Sequence, residues 1–149
     1  MAIHITSSTK PASICRPTTK DELKAIIDQE LKRQGPDVNL NHIDVSEITD
    51  MSFLFVYKTI ENIKISEWDT SNVTDMSHMF SYCRNFNAYL SDWDVSNVRK
   101  MHYMFCECRK FNSDLSSWNT RNLNSITGMF ANCCSLDTSK LNWPQLRQI

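Results

Sequence analysis

Glycine is nearly absent, with two in 149 residues. That scarcity excludes glycine-rich phosphate loops and the Gly-Gly-x-Gly turns of calcium-binding repeats. No apolar run approaches the roughly 18 residues of a membrane-spanning helix, so no membrane span is expected. An excess of either charge is also missing: 16 Lys and Arg stand against 17 Asp and Glu, a net charge of −1. Nothing global then draws the chain to nucleic acid, and no nucleic-acid partner is expected. The opening MAIHITSSTKPASICRP holds no apolar core of a secretory leader, so the chain as written is expected in the cytoplasm.

What the chain has instead is a repeat. Trp68, Trp93, Trp118 and Trp143 are spaced by 25 residues. Phe55, Phe80, Phe105 and Phe130 keep the same spacing, as do Met51, Met76, Met101 and Ile126. Ile48, Val73, Val98 and Leu123 form another such column, and Asn62, Asn87, Asn112 and Asp137 a polar one. No insertion breaks the frame between Ile43 and Trp143. One unit of this length cannot bury its own apolar residues, but stacked units share a core that grows in one dimension. With strands paired in parallel between units, a layer is about 4.8 Å thick.

Within a unit, Met76, Met79, Phe80 and Cys83 have the three-and-four spacing of a short helix or 3₁₀ turn. The alternation in FNAYLS, residues 86–91, suits a short strand. Residues 1–17 read as a flexible arm. Residues 18–36 read as a capping helix: Thr19 and Glu22 form a capping box, Leu23, Ile26, Ile27 and Leu31 an apolar stripe, and Gly35-Pro36 a stop. Residues 37–149 hold the repeats and a C-terminal cap beginning at Trp143-Pro144. The expected fold is an α/β solenoid: a leucine-rich-repeat-like, right-handed stack of about four coils with short parallel strands and helical turns, closed by the N-terminal helix.

The repeats WDTSNVTDMSHMFSYCRNFNAYLS (68–91) and WDVSNVRKMHYMFCECRKFNSDLS (93–116) resemble those of bacterial BspA-family leucine-rich-repeat surface proteins. The TKDELK helix followed by LNHIDVSEITDMSFLF is similar to the way such domains begin. The resemblance covers roughly residues 18–143. It implies a solenoid, a bacterial surface or secreted location, and adhesion or host-protein binding. It brings no catalytic residues.

Cys83, Cys108 and Cys133 share a column and are read as small buried residues with free thiols, because aligned side chains seldom reach disulfide torsion. Asp44, Asp69, Asp94 and Asn119 are read as turn-capping groups rather than calcium ligands. The four histidines share no column, and no nucleophile has a matching His and acid. No enzyme activity, cofactor or metal is therefore expected. Function is sought in columns that vary. Phe53, His78, Tyr103 and Gly128 form one; Tyr57, Tyr82, Glu107 and Asn132 form the other. Both flank the buried Met–Phe pairs, so several of these residues should be exposed. Partner-binding residues are expected to be Phe53, Tyr57, His78, Tyr82 and Tyr103, with Arg84, Arg109 and Lys110 as a basic strip. Aromatic rings on a rigid frame supply contact area at small entropic cost. The expected function is non-catalytic binding of a protein partner through a lateral face, as a surface adhesin or as a cytosolic binder or inhibitor. A third reading is a self-assembling structural unit, in which monomers associate end to end through the open last coil.

Overall fold

The computed structural model describes residues 15–148. One α-helix, α1 (Lys20–Gln34), is followed by turn-rich repeats and a closing 3₁₀ segment (Pro144–Gln148). Thr19 caps α1 by accepting from the Glu22 N–H, and the Glu22 carboxylate reaches back to the Thr18 N–H. This is a capping box shifted by one residue on its return arm. Gly35 adopts φ 88° and returns its N–H to the Leu31 carbonyl. A side chain there would be strained, which is why the helix stops on glycine. Leu23 and Ile27 are fully buried, and Lys20 bonds Asp50 and Ser52 while Lys58 bonds Asp28. The helix thus lies alongside residues 50–58, with its apolar stripe against the first repeat.

Residues 25 apart lie side by side. Parallel bridges join Asp50 to Asp75, Asp75 to Lys100 and Lys100 to Ser125. Phe55, Phe80, Phe105 and Phe130 stack with centroid separations of 5.3, 5.7 and 6.3 Å. The indoles stack in two pairs, Trp68 on Trp93 and Trp118 on Trp143. The Nε1 atoms of Trp68, Trp93 and Trp118 donate to the carbonyls of Leu40, Ile65 and Leu90. These three indoles pack as hydrophobes with their polar tips satisfied, whereas the buried Trp143 Nε1 at the end of the stack has no partner among the described residues. Buried Met, Val and Leu columns complete the core, which thins toward the last repeat, where Phe130, Cys133 and Leu136 are only half-buried.

Three local expectations are corrected. Residues 76–83 form no helix but two consecutive four-residue turns, Met76–Met79 and Phe80–Cys83, closed by Met79 N–H to Met76 O and Cys83 N–H to Phe80 O. Their third residues, His78 and Tyr82, have φ of 57° and 64°, which no right-handed helix tolerates. The apolar spacing imitated a helix because turns of this length also place every third or fourth side chain inward. Residues 86–91 form no strand. Side chains join the repeats there: Ser113 Oγ accepts from the Leu90 N–H, and Ser91 Oγ donates to the Asp114 carbonyl. The supposed arm is docked at its end, since Cys15 bridges Ile43, Arg16 pairs with Asp44 and Pro17 is buried. The rest of that arm, residues 1–14, lies outside the described residues.

Candidate interaction surface

The two variable columns share one backbone feature. Phe53, Tyr57, His78, Tyr82, Tyr103, Glu107 and Asn132 all have positive φ, as does Gly128. Each is the third residue of a hydrogen-bonded turn, a position normally left to glycine or asparagine. The turn closes its own i to i+3 bond and leaves alternate N–H groups pointing to the next repeat. Phe53 donates to the Ser77 carbonyl, Phe55 to Met79 and Tyr57 to Ser81. His78, Phe80 and Tyr82 bond the next repeat in the same way, and Tyr103, Phe105 and Glu107 the one after.

This backbone aims two columns of side chains outward. Phe53, His78 and Tyr103 stack with centroids 4.6 and 5.1 Å apart. Tyr57 and Tyr82 stack at 4.8 Å. All five rings are solvent-accessible, Tyr57 most of all at 71%. The second column then changes character, as Asn132 Nδ2 donates to the Glu107 carboxylate at 2.6 Å. Burial, and secondarily His102, hold the His78 imidazole below its ordinary pKa, with Asp75 pulling the other way.

The basic groups divide. Arg84 is exposed and borders a cleft with Tyr57, Lys58 and Tyr82. Lys110 is exposed. Arg109 is ion-paired with Glu107 at 3.0 Å. The basic strip is therefore partly neutralised, a correction to the sequence reading. The glutamate in turn sits below the usual carboxylate range, held there by Asn132 and Arg109. One exposed ring escaped the sequence reading: Tyr89, beside a 440 Å³ groove that Lys64, Ser91 and Ser113 also line. Its signal was the outward phase of the alternation in residues 86–91.

The cysteine column has a distinct role. The thiols of Cys83, Cys108 and Cys133 lie 3.0, 3.0 and 2.9 Å from the carbonyls of Phe55, Phe80 and Phe105. Each donates to the carbonyl that closes a turn in the preceding repeat. Burial pushes the Cys83 and Cys133 thiols up to about 12, and Cys108 higher. Asp44, Asp69, Asp94 and Asn119 accept from the N–H two residues on, the geometry of Asx turns. Among the described residues, no three His, Cys, Asp or Glu side chains converge as a metal site, and no helix is long and apolar enough to cross a membrane.

The chain is thus a stack of registered repeats that carries two columns of outward-facing side chains, five of them aromatic rings. Residues 25–143 match the family described as "Mycoplasma protein of unknown function, DUF285", and the chain belongs to that family. No curated protein and no solved structure matches the chain.

Proposed function

We propose that the chain is a non-catalytic protein-recognition module, built as a right-handed, leucine-rich-repeat-like α/β solenoid, which docks a protein partner on its lateral aromatic face. The observation that supports this most is the conformation of the ring-bearing residues. A left-handed residue other than glycine costs about 1–2 kcal/mol. A stacked aromatic pair returns about 0.5–1.5 kcal/mol. Stacking roughly offsets the strain, so stability alone gives little reason to place exposed rings where glycine would escape that strain. Strain maintained along a surface points to use of that surface. Docking would be rigid, with affinity from Phe53, Tyr57, His78, Tyr82 and Tyr103 and orientation from Arg84 and Lys110.

The resemblance to BspA-family repeats favours an adhesive role outside the cell. The thiols committed to carbonyls favour the second reading, a cytosolic binder or inhibitor of an intracellular protein, since disulfides accumulate in oxidising compartments. External protease on intact cells separates them: cleavage supports the adhesin, and protection with cleavage after lysis supports the intracellular binder.

Binding itself is tested with Tyr57→Gly and Tyr103→Gly, which relieve the positive φ while removing the ring. Both variants should keep the wild-type circular dichroism and lose a partner retained by the wild type. Retention at wild-type strength by both folded variants would move the binding surface elsewhere.

A further inference from the structure

The main-chain bonds along the aromatic face run in one direction. In each of the first three repeats the N–H groups point toward the following repeat, whose carbonyls accept them: Phe53 to Ser77, His78 to His102 and Tyr103 to Thr127, with parallel rows through Phe55, Phe80 and Phe105. Across residues 53–57 and their counterparts, each repeat therefore shows carbonyls on the side of the preceding repeat and N–H groups on the other, whereas just ahead of this row Thr74, Arg99 and Asn124 donate back to the preceding repeat. The carbonyl side of the first repeat has α1 alongside it, tied by Lys20 to Asp50 and Ser52 and by Asp28 to Lys58.

The last described repeat carries the same geometry. Ile126, Gly128, Phe130 and Asn132 sit at the donor positions, and their N–H groups have no acceptor among the described residues. Beside them opens a 460 Å³ cleft, lined by Ile126, Gly128, Met129, Phe130, Gln145 and Leu146. The 3₁₀ segment covers only the neighbouring part of this end, where Gln145 Nε2 donates to the carbonyls of Thr120 and Leu123.

We propose that residues 126–132 form a docking edge for a partner polypeptide that presents main-chain carbonyls at every second residue, in the manner of Asp75–Ser81. The polarity of the edge selects this occupant. A row of donors needs a row of acceptors, and the molecule shows the matching row three times. A second copy of the chain does not fit: end against end sets donors on donors, and the acceptor row of the first repeat lies beneath α1. This edge lies at the end of the two columns of the aromatic face, at Gly128 and Asn132, but it acts through main-chain groups and does not depend on the role of the rings. Main-chain pairing supplies affinity there, and the apolar cleft supplies selectivity for an inserted side chain.

The test uses the full chain and an acetylated, amidated synthetic peptide of residues 74–84, at millimolar concentration. Hydrogen exchange followed by NMR should show the Ile126, Gly128, Phe130 and Asn132 amides fast in the free chain and at least tenfold slower with peptide. An analogue with the Ser77 and Met79 carbonyls reduced to methylene should give no slowing. The proposal is overturned if these amides are already protected in the free chain. It is equally overturned if a scrambled peptide protects them as well as the native one, or if sedimentation shows self-association that abolishes peptide binding.

Discussion

The Tyr103 ring lies directly over Gly128, so that a Cβ on Gly128 would stand 2.2 Å from the Tyr103 Cε1. Gly128 also has φ 64°. The aromatic column thus ends on a glycine that serves as a platform. Gly128→Ala should cost about 1–3 kcal/mol from backbone strain and displacement of the ring. Denaturant unfolding measures the cost, and the ring-proton shifts of Tyr103 report the displacement. A variant of unchanged stability with unchanged ring shifts would contradict this packing.

Phe105 contrasts with its neighbour Tyr103. It is fully buried between Phe80 and Phe130, with Phe111 stacked at 4.2 Å. Phe105→Ala should cost about 3–5 kcal/mol, as for other large core aromatics. Tyr103→Ala loses an exposed stack and should cost about 1 kcal/mol. Equal costs in urea unfolding would mean that the two faces of the repeat are misassigned.

His78 gives the fold a pH dependence of known sign. Its folded pKa lies below that of the unfolded chain, mainly through burial and then through His102. The unfolded state therefore binds more protons as pH falls through the imidazole range, and stability declines with acidification. Asp44 adds a separate loss at lower pH. Hydrogen bonds from Ser46 and then Arg16 hold its pKa at about 2, so its contribution is complete above the unfolded carboxylate value and disappears as pH falls toward 2. His78→Phe keeps a ring in the column and should flatten the Tm profile between pH 7.5 and 5.5. An unchanged slope would assign the dependence to another group.

The thiols should separate by accessibility. Cys134 is exposed, while Cys83 and Cys108 are buried and hydrogen-bonded to carbonyls. Burial raises the pKa of both and suppresses the thiolate that reacts. Under reducing-agent-free native conditions, alkylation read by peptide mass spectrometry should label Cys134 quickly and Cys83 and Cys108 only after denaturation. Rapid native labelling of Cys108 would contradict its place in the core.

The sequence by itself determined the period, the helix with its Thr19 cap and Gly35 stop, and the identity of the buried Trp, Met and Phe columns. Those features follow from side-chain polarity at fixed spacing, which survives in one dimension. It also marked the two variable columns that the structure turns outward. A trace of their conformation was present too, since Gly128 and Asn132 occupy the very columns that adopt positive φ, but the aromatic members hid it. Only the tertiary structure decided that residues 76–83 turn twice instead of coiling, because the sign of φ at His78 and Tyr82 is fixed by carbonyls that the next repeat offers. It alone decided that Arg109 is consumed by Glu107 and that Leu90 is joined to the next repeat through Ser113. The direction of the main-chain bonds belongs there as well. Every residue other than proline brings the same donor and acceptor, so their orientation is written in no side chain and emerges only when one repeat is laid against another.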